Sequence, residues 1–525
     1  MMLRAYRWQP DDDVFWREHG HHQTVFFPKL NLILLLAGAC VWMSWSVLTV
    51  LMLNAGYPFS IEQLFSLIAS AGLAAACVRM TGNFMLHHSG VRASMLLSVY
   101  LLLAPLTLLW LALSTLSTPF WQFQLLAVCS GLGAGLLMQV LNTSYYAFPK
   151  KQQPLVQEVL LALANTGLVL VLVALPLFVQ LPAFSWFNGE PLILQHASSN
   201  ISGAVSAGQP IWLNAVIWLP LLLLISGLYW LHRLPAIYTH QVDNFNVTAG
   251  ILRSLIVLAL ALLGCIVLLM PSIIIENLGR IPAVRELSMV LAIGLVLLWM
   301  RLFSAKHTDV VTQHIEILSG REVHVLALLY LMGMGSLLGL AVSYPLLTKA
   351  AFSVRVSADG ILETNPVGPS VLIYGWLPVI LGLVARAFGS WLAHRIKPAL
   401  INQWALTMML IGAAALAYYI NQAQNTAHPE QWFLAFFISS LVFFMAAGFS
   451  AGSVMALILG ATPHKQMEYA LTWIVAVTTA GTFYIPQMFA DHWQTSGPAG
   501  IIVGFALFYL LGLAVNWYFY LRKAH

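Results

Sequence analysis

Charge is scarce in this chain. Only 8% of its 525 residues are Asp, Glu, Lys or Arg. An ordinary soluble domain runs near about a quarter, so a cytosolic enzyme or a solvated binding module is excluded. Cysteine is scarce too. Cys40, Cys77, Cys129 and Cys265 each sit inside an apolar run, which leaves no disulfide framework and no CxxC metal spacing. No His, Cys and carboxylate cluster falls within those runs, so neither an enzyme nor a cofactor or metal site is expected. Residues 1–29 hold Asp11, Asp12, Asp13 and Glu18 and no apolar core. They read as a cytoplasmic tail and not as a signal peptide.

What fills the space is apolar: 60% of residues are hydrophobic and the mean hydropathy is +0.84. A spanning helix needs ~20 mostly apolar residues. Such runs fall near 30–54, 61–86, 92–114, 122–147, 155–180 and 211–233. A second series lies near 252–275, 285–304, 323–346, 369–392, 400–420, 431–457, 466–489 and 498–521. The expected fold class is an all-α membrane protein of about 14 spans. An even count puts both termini on one side. Seventeen Lys and Arg residues fall on that side and four on the other, namely Arg280, Arg285, Lys349 and Arg355. The positive-inside rule therefore makes both termini cytoplasmic. The same bias accounts for the net charge of +5, so no nucleic-acid partner is implied. The lipid bilayer is the expected surrounding, and the pattern sets no oligomeric state.

Two polar stretches, 234–248 and 304–322, flank a bland pair of helices rich in Leu, Ile, Val and Ala. Removing that pair leaves six plus six spans, the two-bundle arrangement of major facilitator transporters. The expected organisation is a tail at 1–29, a six-helix bundle at 30–233, linkers flanking the inserted pair at 234–322, and a second bundle at 323–525.

Two arginines lie deep in these spans, Arg79 in LAAACVRMTGNF and Arg386 in LGLVARAFGSWL. A guanidinium at mid-membrane costs at least ~2.5–3.5 kcal/mol, so it faces a cavity or finds a partner. Each falls in the second helix of its six. All eighteen Asp and Glu residues lie in loops or near span ends, Glu158 and Glu468 closest to a bundle. Two matched cations without a carboxylate suit a small anion, which the planar guanidinium grips with paired hydrogen bonds. Snorkelling or internal pairing is the structural alternative.

At these residues the chain resembles the nitrate/nitrite porter family of the major facilitator superfamily. The resemblance begins in the tail, RWQPDDDVFWREHG, and continues through CVWMSWS and the Arg79 helix. It follows the glycine-rich GLGAGLLMQVLNTSYYAFPKKQQ, then ALLYLMGMGSLLGL, ARAFGSWLAHR, AAGFSAGS and ALTWIVAVTTAGTFYIPQMF. It implies that Arg79 and Arg386 are substrate-binding arginines, that Asn165 in ALANTG is a substrate-side asparagine, and that Tyr330 and Trp45 belong to the site. Without it, Asn165 reads as a helix–helix hydrogen bond and the two aromatics as packing residues. The chain also departs from the family. Leu136 and Leu160 stand where asparagines are usual, Tyr145 and Ala147 interrupt an aromatic run, and Thr472, Thr478 and Thr479 replace glycines of the penultimate helix.

The histidines at His19, His21, His22, His87 and His88 read as solvated or interfacial. The resulting expectation is a carrier of nitrate and/or nitrite. The alternatives are a facilitator for another small anion or organic acid, or a non-transporting membrane sensor. With no acid, base or histidine deep in the bundle to exchange protons, anion exchange is expected over proton symport.

Overall fold

The computed structural model describes residues 9–20, 26–55, 57–89, 91–113, 117–137, 139–140, 147–180, 201–202, 216–231, 308–356, 362–365, 367–370, 374–463 and 466–522, with scattered positions between 251 and 298. Twelve apolar helices organise the described residues. The first six are α1 (Phe26–Asn54), α2 (Ile61–Ser89), α3 (Val91–Leu113), α4 (Phe120–Leu136), α5 (Gln153–Gln180) and α6 (Leu219–Leu231). The last six are α7 (Arg321–Phe352), α8 (Trp376–Leu392), α9 (Pro398–Gln424), α10 (Phe433–Ala461), α11 (Met467–Thr479, continued by Gly481–His492) and α12 (Gly497–Asn516). Seven helices among the described residues are long and apolar enough to cross a bilayer, and shorter apolar ones accompany them. The all-α membrane fold expected from composition is borne out.

Helices dominate because a backbone in hydrocarbon must satisfy its own polar groups. Hydroxyls obey the same constraint. Ser44, Ser70, Ser98 and Ser343 each donate to a carbonyl one turn back on their own helix, at 2.6 to 3.1 Å. Buried amides glue helices together. Asn402 of α9 donates to Asn516 of α12 at 3.1 Å and accepts from Ser450 of α10 at 2.7 Å.

Close helix contact is built twice with one device. Small residues let backbones approach without displacing side chains. Gly131 and Gly135 of α4 rest on Ala71 and Ala75 of α2, and Gly448 and Gly452 of α10 rest on Gly382 and Arg386 of α8.

The two sets of six meet along several seams. Ser46 of α1 donates to the Val342 carbonyl of α7 at 2.7 Å. Gly72 of α2 lies so near the Thr482 carbonyl of α11 that a Cβ would stand 2.4 Å from it. Where α2 begins and α11 finishes, Phe65 stacks on Phe489 at 5.2 Å and packs on Trp493 at 5.6 Å. Three short strands, not anticipated from sequence, add a further link. β1 (Ile201–Ser202) follows α5, while β2 (Val354–Val356) and β3 (Leu362–Thr364) follow α7. β3 pairs antiparallel with β2 and parallel with β1.

Of the expected inserted pair, most of the second helix and the first linker lie outside the described residues, as does Tyr145, whereas the second linker holds a helix over Thr308–Ser319. Helical positions between 251 and 266 present two faces. Leu258, Ala261 and Cys265 are buried with Leu73, Val78 and Leu132 of α2 and α4. Leu252, Leu255, Leu263 and Ile266 are exposed. A stripe of period 3.6 on one side and bare leucine on the other suits a helix between protein and lipid.

Candidate substrate site

A cavity lies at the junction of the two sets of helices. Its wall includes Trp42 and Met43 of α1, Arg79 of α2, Leu161 and Asn165 of α5, Tyr330 and Met334 of α7, and Thr478 and Thr479 of α11. No carboxylate is among its described lining residues. Most of the wall is apolar, with a few polar groups converging on one region, the usual make-up of a small-ligand site.

Arg79 is the centre of this arrangement. Its Cζ lies 5.4 Å from the centroid of the Trp42 ring, a cation–π contact. Its Nη1 donates to the Thr479 hydroxyl, bridging the two sets of helices. Tyr330 of α7 lines the same cavity. Its Nε finds no hydrogen-bond acceptor among the described residues. Such a guanidinium holds N–H donors in a low-dielectric space, where an anion gains most from them.

The local backbone explains how Tyr330 reaches the cavity. α7 is α-helical from Arg321 to Tyr330, widens into a π-turn over Leu331–Gly335, and resumes as α-helix at Ser336. The glycines of LMGMG let that turn press on its neighbours. A Cβ on Gly333 would meet Ser450 of α10 at 2.5 Å, and one on Gly335 would stand 3.1 Å from the Thr478 carbonyl. Single π-turns recur at functional sites because they re-aim the residues beside them.

Of the five residues expected from sequence, Arg79, Asn165 and Tyr330 meet in this cavity. Trp45 does not line it. Trp45 is buried and its indole N–H donates to the Ser130 hydroxyl of α4 at 2.8 Å, while Trp42, three residues earlier, faces Arg79. Arg386 is 2% exposed on α8, with its backbone under Gly448 and Gly452, and is outside the cavity lining.

The two arginines also differ in register. The second glycine of α10 rests on Arg386 itself, whereas the second glycine of α4 rests on Ala75, four residues before Arg79. Measured from these seams, the backbone positions of the two arginines are offset by one helical turn, about 6 Å along the helix axis. Equal places in sequence are not equal places on the seams.

Sequence reasoning missed Trp42, Thr478 and Thr479 as lining residues. The threonines were visible as departures from a glycine pattern. Trp42 carried no signal to set it apart from Trp45.

No family profile matches the chain. It is 24% identical over 520 residues to the Probable nitrate/nitrite antiporter NarK2 of Thermus thermophilus, spanning 98% of this chain and 96% of that one. To the Nitrate/nitrite transporter NarU of Escherichia coli (strain K12) it is 23% identical over 541 residues, again spanning 98% and 96%. Among solved structures, the xylose transporter XylE from E. coli in a partially occluded inward open conformation superposes with a TM-score of 0.56 at 13% identity, covering 94% of this chain and 97% of that one. A POT family transporter in complex with a thioalcohol conjugated peptide gives 0.58 at 12% identity, covering 96% and 98%. These structural likenesses establish the fold alone. The chain is thus similar over nearly its whole length to proteins named as nitrate/nitrite transporters, and it shares its fold with membrane transporters of solved structure.

Proposed function

We propose that this protein carries nitrate and/or nitrite across the inner (cytoplasmic) membrane by alternating access, with both termini cytoplasmic, and that it works chiefly as an anion exchanger with no catalytic step. The observation that carries this reading is Arg79, a cation in a central cavity with no carboxylate on its described wall. The anion's oxygens accept from Arg79, with Asn165 and Tyr330 as further donors and the Trp42 ring as an aromatic wall. Trp42 takes the place that sequence assigned to Trp45. Arg386 supplies a second cation from α8 as the bundles at 30–233 and 323–525 rock about the anion. The segment 234–322, with its inserted pair, stays at the periphery.

Exchange follows from charge. An empty site leaves the desolvated Arg79 charge without an anion, and a loaded one neutralises it, so the loaded carrier reorients more readily. The test is uptake of labelled nitrate and nitrite into proteoliposomes with and without internal anion, at matched and mismatched pH. Uptake should require internal anion and ignore the pH step. Uptake that follows an imposed pH gradient without internal anion would overturn exchange, and preference for an organic acid would overturn the substrate.

A further inference from the structure

Thr479 faces Arg79 in an unusual chemical role. Its own hydroxyl proton is committed: Oγ1 donates to the Val475 carbonyl one turn back at 2.7 Å. Only lone pairs remain for the cavity, and Arg79 Nη1 donates to them. Thr478 beside it is committed in the same way, donating to the Ile474 carbonyl at 2.7 Å. This wall of α11 therefore accepts from cations and has no hydroxyl proton left to give to an anion. Thr479 and a bound anion want the same guanidinium protons.

We propose that Thr479 is a positioning residue that stands in for the anion in the unloaded carrier. Its hydroxyl gives Arg79 an acceptor when the site is empty and, because it comes from the other set of helices, holds α2 and α11 together across the junction. The arriving anion displaces that contact. Two effects follow with opposite signs. The hydroxyl competes with the anion and weakens its binding, and it eases closure of the empty carrier and so permits a residual net flux beside exchange. This rests on the transport reading above.

The experiment compares wild type with Thr479→Val, which keeps the shape and removes the acceptor, and with Thr479→Ser, which keeps the acceptor. Nitrate and nitrite binding is measured by calorimetry on the purified protein. Exchange and net uptake are measured separately in proteoliposomes. Thr479→Val should bind the anion more tightly, and its exchange rate should fall less than its net uptake. Its net uptake should fall by about tenfold, the weight of one charge-assisted hydrogen bond. Thr479→Ser should restore both. Weaker binding in Thr479→Val, equal loss of both flux modes, or no change in either overturns the role of Thr479. A wild-type protein that neither binds nor moves nitrate or nitrite overturns the transport reading itself, and this role with it.

Discussion

Gly452 of α10 sits directly on the carbonyl of Arg386, so close that a Cβ in its place would stand 2.2 Å from that oxygen and 2.6 Å from the Ser390 nitrogen. Both neighbours are backbone, which does not swing aside as a side chain does. The glycine thus sets where α8 carries its arginine.

Gly452→Ala should push α8 and α10 apart, cost about 1–3 kcal/mol of stability as other overpacked sites do, and lower anion transport. Gly504→Ala on α12 is the control, since nothing lies within 4 Å of a Cβ there. Thermal unfolding in detergent and uptake assays check both. Equal behaviour of the two variants would show that the α8–α10 seam yields.

Arg79→Lys and Arg386→Lys should each nearly abolish transport while the protein still inserts and folds. An ammonium keeps the charge but cannot offer the planar pair of donors that a guanidinium presents to two oxygens. Membrane yield and uptake are the paired measurements, and wild-type transport by either variant removes that arginine from the site.

Trp42 and Trp45 should separate cleanly. Trp42→Leu removes the ring from the Arg79 face and should weaken anion affinity, by a factor of about 2–5 for a contact worth ~0.5–1 kcal/mol. Trp45→Phe removes the hydrogen bond to Ser130 and should cost stability, about 1 kcal/mol, with affinity unchanged. Apparent affinity and melting temperature, measured on both variants, decide the assignment.

Asp11 ties the tail to the segment between α4 and α5. It accepts from the Lys150 backbone N–H at 3.0 Å and pairs with the Lys150 ammonium at 3.1 Å, while Trp16 packs on Phe148 at 5.9 Å. The backbone hydrogen bond, helped by the ammonium, holds the Asp11 carboxyl below its ordinary value of 3.8. A lowered carboxylate pKa means the tie is at full strength above that ordinary value and is lost as pH falls through the depressed one. Protection of residues 9–20 from hydrogen exchange, corrected for the intrinsic pH dependence of amide exchange, should therefore be full near neutral pH and be lost as pH falls below the ordinary value, with added salt loosening the ion pair while Asp11 is charged. Asp11→Asn should exchange faster at neutral pH, and identical rates in the variant would break the tie between Asp11 and Lys150.

Much of this protein was written in one dimension. Long apolar runs with few charges leave helices as the only way to cross lipid, and a glycine spacing such as GLGAG or GFSAG announces a close helix seam. A buried arginine is so costly that Arg79 and Arg386 raise the expectation of a site from sequence alone. Asn165 and Tyr330 were found because an ordered series of tracts resembled a family, and the cavity brings both to Arg79. Tertiary structure decided the rest. Trp42 and Trp45 lie three residues apart in one apolar helix, and which of them faces the cavity depends on how α1 is rotated against α4 and α7, a choice that no periodicity within α1 encodes. The turn of offset between Arg79 and Arg386 depends on which carbonyl each glycine rests upon. The bond from Arg79 to Thr479 joins residues 400 positions apart, and it exists because the two sets of helices pack together at the depth of the cation.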